Sequence, residues 1–123
     1  MTALGLLLIS GGHERAHYAL MLATAAASLG RPVTLFATNG GCRLLLKSAP
    51  LEHDPREADL ARAGVATITT LMEAARALDV RCIACEAGLK AEGLEGEELA
   101  PGTELAGIVT FLGAVGGGQV ISL

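Results

Sequence analysis

The stretch "ALGLLLIS" (residues 3–10), followed directly by Gly11-Gly12, decides the fold class. A continuous apolar run that ends at glycines is typical of a strand buried on both faces of a sheet. His13 to Leu29 form an Ala- and Leu-rich segment that stops at Gly30, which predicts a long helix. "PVTLFAT" (32–38) then predicts a second buried strand. Strand, helix and strand in this order predict a parallel α/β sheet with right-handed crossovers.

The remaining chain continues this alternation and predicts one domain over residues 1–123, with four or five strands. A helix is predicted over 54–64, with Asp54 as its N-cap and Glu57 as the capping-box partner. The other predicted elements are a short helix in "CRLLLK" (42–47), a helix over 70–78 capped by Thr70, a strand over 80–85, a helical turn over 86–93, a surface loop over 95–104, a helix over 105–115 and a strand over 119–123. The assignment of "VATIT" (65–69) stays open.

The composition limits the kinds of partner. The formal net charge is −4 and the few Lys and Arg residues are scattered, which excludes the basic footprint of a nucleic-acid-binding protein. The longest apolar run, residues 19–30, is too short for a bilayer, and the N-terminus lacks the basic flank of a signal peptide. We therefore expect a cytoplasmic protein without membrane contact. Apolar residues make up 51% of so small a chain, which predicts that another subunit covers part of its surface.

The segment "GGHERAH" (11–17) contains the His-Glu-x-x-His pattern of zinc proteases. Such a site needs a third ligand, and the only other histidine, His53, lies in a predicted loop. We expect His13 and His17 to be turn and surface residues, with Glu14 interacting favourably with the helix dipole. A zinc site at the two histidines remains a third interpretation.

The cysteines lie where chemistry collects in a parallel sheet, close to the carboxyl ends of strands. Cys85 lies where the third strand becomes a helix, and a helix N-terminus favours the nucleophilic thiolate, although Glu86 opposes it. The alternative is a small core residue, and the sequence leaves both open. Cys42 is a second thiol at the same edge or a core residue. Cys82 lies about 10 Å from Cys85 along an extended strand, too far for a disulfide, and is expected to be buried.

Two glycine-containing turns at this edge form a further candidate site. "SGGHE" includes Gly11 and Gly12, and "TNGGC" includes Asn39 and Gly40. Both turns could present backbone N–H groups to an anion. Neither turn has the spacing of a dinucleotide-binding or P-loop motif, so the sequence gives little support for a nucleotide.

A resemblance extends through most of the chain, in "GLLLISGGHERAHYALMLATAAASLGRPVTLFATNGGCRLL" (5–45), "DVRCIACEAGLKAEGL" (79–94) and "GTELAGIVTFLGAVGGGQVISL" (102–123). These segments resemble the DsrE/DsrF-like proteins, which include sulfur-relay subunits of the TusD type. The most specific match is Cys85 followed eight residues later by Gly93. The resemblance implies a flavodoxin-like three-layer domain that assembles into dimers, trimers or hexamers. It also implies a persulfide on Cys85, and neither a metal nor an organic cofactor.

The leading hypothesis is therefore a sulfur carrier or sulfurtransferase accessory protein that takes sulfur from a donor protein onto Cys85 and passes it to an acceptor. His13 would assist Cys85 if, as the resemblance implies, the first and third strands are neighbours. The alternative is a non-catalytic oligomeric module that binds a small anion or a partner and uses Cys85 for packing. Fold transfers between relatives more safely than function does.

Overall fold

The computed structural model describes residues 1–123 and contains one five-stranded sheet in which every pair of neighbouring strands is parallel. The strands are β1 (Leu4–Leu8), β2 (Val33–Ala37), β3 (Arg81–Cys85), β4 (Glu104–Ala106) and β5 (Gln119–Ser122). The helices are α1 (His13–Ser28), α2 (Arg56–Arg62), α3 (Ile68–Ala77), α4 (Glu86–Ala91) and α5 (Ile108–Val115), with 3₁₀ helices over Asn39–Leu45 and Pro50–His53. The predicted parallel α/β sheet is confirmed. No helix combines the length and apolar character needed to cross a bilayer.

The strand order β4-β3-β2-β1-β5 determines where the helices lie. From β1 to β4 the chain advances in one direction, and from β4 it returns across the sheet to β5 beside β1. Right-handed crossovers place the connections of opposite direction on opposite faces of the sheet. Accordingly α1 and α3 pack together on one face and α5 packs on the other, against β1 and β2. The domain therefore has the flavodoxin-like three layers.

The face under α1 carries the larger core. Leu6, Leu8 and Leu35 are fully buried there against the alanines of α1. Ala16, Ala19 and Ala23 are also fully buried, and their small side chains let the helix approach the sheet closely. The Ala-rich composition of this helix is thus a packing requirement.

The face under α5 carries a smaller core built around two aromatic rings. Phe36 of β2 stacks on Phe111 of α5 with ring centroids 5.0 Å apart. A Cβ atom at Gly5 would overlap Val115 and lie 2.8 Å from the Phe111 ring, so only glycine admits α5 here. Cys85 belongs to this smaller core.

The predicted start of α3 is wrong by two residues. α3 begins at Ile68, and Thr67 is its N-cap, whose side chain accepts a hydrogen bond from the N–H of Thr70. Thr70 therefore lies inside the helix that it was expected to cap. "VATIT" supplies this cap and the first turn of α3 rather than a strand.

The segment before α5 also departs from expectation. Residues 104–106 form the edge strand β4, where a loop and the start of a helix were predicted. Three residues are too few to show a strand period, and their conformation follows from pairing with Ile83–Cys85 of β3. α5 consequently begins at Ile108.

Candidate functional site

Cys85 lies at the point predicted from the sequence, as the last residue of β3 and the N-cap of α4. Its Sγ accepts a hydrogen bond from the backbone N–H of Gly88 at 3.3 Å. The residue is only 5% exposed. The end of a buried strand therefore holds the sulfur, and the first turn of the next helix directs an N–H group at it.

The pocket next to Cys85 has a volume of about 480 Å³. Its lining comes from the start of α4 (Cys85, Glu86, Ala87 and Lys90) and from the start of α5 (Gly107, Ile108, Val109 and Thr110). Glu86 and Lys90 are exposed and bring opposite charges to one side of the pocket. The other side, from α5, carries no charge. A small molecule or the end of a partner's side chain can approach the Cys85 sulfur by this route.

Cys42 lies at the same edge of the sheet, fully buried in the first 3₁₀ helix. Its thiol donates a hydrogen bond to the carbonyl of Ala37 at 3.5 Å. Burial is the main reason why the pKa of Cys42 is raised to about 11; the charges of the nearby Cys85 and Glu92 also raise it, while the backbone N–H of Cys85 and the guanidinium of Arg43 lower it. Cys42 is therefore protonated near neutral pH and is a neighbour of Cys85.

Cys82 lies at the other end of β3 and packs against the core under α1. It is half-buried rather than buried, which corrects the expectation. Burial raises the pKa of Cys82 to about 11. All three cysteines are free thiols.

Gly88 is the residue that sequence reasoning missed. A Cβ atom at this position would overlap the backbone N of Asn39 and the hydroxyl of Thr38, and would lie 2.9 Å from the Thr38 Cα. Glycine therefore lets α4 lie directly on the turn after β2, and the same residue donates its N–H to the N-cap sulfur of Cys85. The available signal was a glycine inside the helical pattern "EAGLK" (86–90).

The two glycine turns contact each other at the sheet edge. A Cβ atom at Gly11 would lie 3.0 Å from the Gly40 carbonyl oxygen, and one at Gly40 would lie 2.9 Å from the Gly11 nitrogen. The Gly12 N–H is satisfied by the Ser10 hydroxyl at 3.2 Å. Asn39 adopts the left-handed conformation with φ of 50° and is exposed. The turns pack against each other, and anion binding by them stays a prediction.

The expectation that His13 meets Cys85 is wrong. β2 lies between β1 and β3, so the first and third strands are not neighbours. His13 begins α1 on one face of the sheet, whereas Cys85 packs into the core under α5 on the other face. The His13 Nε2–H donates instead to Glu57 at 3.0 Å, and its Nδ1 is buried without a hydrogen-bond partner.

The expectation that His13 and His17 are turn and surface residues is also wrong, because both are buried in α1. Their rings stack with centroids 5.9 Å apart, and the His17 Nε2–H donates to the carbonyl of Ala66 at 2.8 Å. The structure contains no group of three or more His, Cys, Asp or Glu side chains placed to hold a metal ion. The residues of the zinc-protease pattern connect α1 to neighbouring segments instead. Glu14 is exposed and forms an ion pair with Arg56 of α2, with 3.4 Å between the guanidinium nitrogen and the carboxylate oxygen.

The predicted capping box is wrong: the N-cap of α2 is Pro55 rather than Asp54, whose side chain accepts a hydrogen bond from the Arg56 N–H, and Glu57 connects three helices instead. From α2 it accepts hydrogen bonds from the backbone N–H groups of Ile68 and Thr69, at the start of α3, and from His13 of α1. Burial alone would raise the pKa of this carboxyl, but these hydrogen bonds together lower it. The carboxylate thus stabilises the N-terminus of α3.

The fold and the Cys85 pocket define a class: small three-layer α/β proteins with a cysteine at the boundary between a parallel strand and its helix. A profile of the DsrE/DsrF-like family matches residues 4–122, and the chain belongs to this family, which is associated with sulfur relay. The crystal structure of the ychN protein from E. coli is similar, with a TM-score of 0.73 at 17% sequence identity over 100% of both chains, which shows the shared fold. No individual curated protein matches the sequence.

Glu57→Gln is expected to lower the free energy of unfolding by about 1 kcal/mol at neutral pH, because the charged acceptor at the start of α3 is lost. The folded-state pKa of Glu57 lies below the ordinary value of 4.5, so its contribution is complete above that pH and is lost as the pH falls through the folded-state value. Urea denaturation of both proteins as a function of pH measures this. Glu73→Gln, an exposed change in α3, is the matched control. A constant difference down to strongly acidic pH would contradict the assignment.

Gly88→Ala is expected to destabilise the protein by about 1–3 kcal/mol, because the added methyl overlaps the Thr38–Asn39 turn. Displacement of α4 also removes the N–H group from the Cys85 sulfur, so the rate of Cys85 alkylation changes. Thermal unfolding and iodoacetamide labelling followed by mass spectrometry measure the two effects. Gly96→Ala, at an exposed position with open space around it, should change neither. Equal behaviour of the two variants would show that the contact is unimportant.

Proposed function

We propose that the protein is a sulfur carrier that accepts sulfane sulfur on Cys85 as a persulfide and passes it to an acceptor thiol. The observation that carries the proposal is the position of Cys85: at the boundary of β3 and α4, in contact with the Gly88 N–H, on a pocket of about 480 Å³. Membership of a family associated with sulfur relay supports it.

The chemistry consists of two thiol exchanges. The Cys85 thiolate attacks the terminal sulfur of a donor persulfide, the sulfur–sulfur bond of the donor breaks, and the donor leaves as a thiolate. Cys85 then carries the terminal sulfur. An acceptor thiolate attacks that sulfur in turn, and the Cys85 thiolate is released. Sulfur moves between thiols in both steps, so the reaction needs no metal or organic cofactor.

The near burial of Cys85 suits a carrier. A persulfide is longer than a thiol by one sulfur atom, and the pocket provides space for that atom next to the 5% exposed cysteine. The surrounding apolar residues, Phe36 and Phe111, limit access by bulky or solvated oxidants. Donor and acceptor are proposed to be proteins that insert a cysteine into this pocket. A compartment that keeps thiols reduced, such as the cytoplasm, fits three free cysteines.

A second copy of the chain is proposed to cover the outer face of α5. Val109 is 80% exposed, and three further apolar side chains of the segment from β4 through α5 are also exposed: Leu105, Ile108 and Leu112. Several exposed apolar side chains in one short segment of a small protein are typical of a subunit interface. Because Ile108 and Val109 also line the Cys85 pocket, the second copy would narrow the route to the sulfur.

One observation favours the alternative, a binding module in which Cys85 only fills space. Cys85 is packed with Phe36, Ile83 and Phe111 in the smaller core, as a structural cysteine would be. The two functions differ in one measurable respect, the reactivity of Cys85 towards sulfur donors. The binding module requires none.

Incubation with a low-molecular-weight persulfide donor is expected to add one sulfur atom to Cys85, because this thiol alone combines a pocket with a hydrogen bond from an N–H group. Mass spectrometry of the intact protein and of its peptides locates the sulfur. Cys85→Ser should abolish the addition, and Cys82→Ser, at the other end of β3, should retain it. An unmodified Cys85, with or without sulfur on another cysteine, would contradict the carrier and favour the binding module.

Val109→Glu is expected to shift the protein towards the monomer, because a carboxylate in an apolar interface is costly to desolvate. Size-exclusion chromatography with light scattering gives the mass of the wild type and the variant. Leu29→Glu is the matched control, since Leu29 is 72% exposed at the far end of α1. A monomeric wild type would contradict the interface.

A further inference from the structure

The fully buried thiol of Cys42 has no part in the carrier cycle, although it lies next to Cys85. The Cys42 sulfur is 3.5 Å from the Ala37 carbonyl oxygen. Ala37 pairs in register with Ala84, the residue that precedes Cys85 in β3. The Cys42 sulfur therefore lies at the carboxyl end of the β2–β3 ladder. Cys85 directly follows Ala84, the last residue of β3 in that ladder.

The surrounding elements hold the two thiols together. The 3₁₀ helix that carries Cys42 packs against β3 and against α4, the two elements that meet at Cys85. The backbone N–H of Cys85 is near enough to the Cys42 sulfur to lower its pKa, and a negative charge on Cys85 would raise that pKa. Arg43, next to Cys42, forms an ion pair with Glu92 just beyond α4 at 2.7 Å, which fixes the same two segments to each other. Two free thiols from distant parts of the sequence thus lie at the same end of the β2–β3 ladder, Cys42 packed in the core under α1 and Cys85 in the core under α5.

We propose that Cys42 is a resolving thiol for Cys85. When Cys85 carries a persulfide and no acceptor arrives, Cys42 attacks the inner sulfur and closes a Cys42–Cys85 disulfide. This inference rests on the proposed function, since it needs sulfur on Cys85.

The step balances without a further reagent. The Cys42 sulfur forms a bond to the Cys85 Sγ, and the bond between that Sγ and the terminal sulfur breaks. The terminal sulfur leaves with its own hydrogen and the proton of Cys42, as hydrogen sulfide. The sulfane sulfur is reduced to sulfide, and the two cysteine thiols are oxidised to the disulfide.

The local environment slows this step. Burial keeps Cys42 protonated, with a pKa of about 11, and only the thiolate attacks sulfur. The persulfide therefore survives long enough for an acceptor to take the sulfur. Resolution then limits how long an unclaimed persulfide remains exposed to oxidation.

The test follows wild type and Cys42→Ser after loading with the persulfide donor and removal of excess donor. The wild type should release one sulfide per protein and form a disulfide that joins the Cys42 and Cys85 peptides. Cys42→Ser, which keeps the side-chain volume and a donor towards Ala37, should keep its persulfide several-fold longer and form no disulfide. Cys42→Ala is the second variant in case the hydroxyl disturbs folding, and Cys82→Ser is the control that should behave as wild type. Equal persulfide lifetimes in wild type and both Cys42 variants, with no disulfide, would overturn the inference and leave the carrier intact.

A second arm separates this inference from the proposed function. Diamide, an azo oxidant of dithiols, is added to the reduced protein, which has never met a persulfide. A Cys42–Cys85 disulfide supports the pairing of the two thiols even where Cys85 accepts no sulfur. Absence of that disulfide, with Cys85 nevertheless modified by the oxidant, overturns it.

Discussion

The contact of Gly88 with the Thr38–Asn39 turn is the constraint on which the rest of the site depends. α4 can approach the end of β2 this closely only because position 88 has no side chain. The same residue donates its N–H to the Cys85 sulfur, and α4 supplies Glu86 and Lys90 to the lining of the pocket. One glycine thus combines the contact of α4 with the turn after β2 and the hydrogen bond to the sulfur.

The sheet separates two groups of residues, one around His13 and one around Cys85, which the sequence pattern predicted to be close together. His13 and Cys85 both follow strands at one edge, yet β2 stands between their strands and their side chains lie on opposite faces. The buried His13, His17 and Glu57 join α1, α2 and α3, and so stabilise the layer that supports the sheet. The layer of α5 is left to form the pocket and the exposed apolar surface.

The three thiols differ in their surroundings. Cys42 and Cys82 have their pKa values raised by burial to about 11, which keeps them protonated. Cys85 is also almost buried, but it lies on a pocket and accepts a hydrogen bond from an N–H group. The proposed carrier and resolving functions follow from this difference. The family is associated with sulfur relay in general.

The sequence alone determined the alternation of buried strands and helices, because glycines bound long apolar runs, and it placed Cys85 at the boundary of β3 and α4. It could not determine the edge strand β4, whose three residues are extended only because β3 pairs with them. Capping was also decided in three dimensions: Glu57, four residues into a predicted helix, caps the next helix because α2 and α3 fold against each other. Only the tertiary structure decided that His13 and Cys85 are apart and that Cys42 and Cys85 are neighbours. The physical reason is that strand order and sheet face determine which distant residues meet. A local sequence pattern contains no information about either of them.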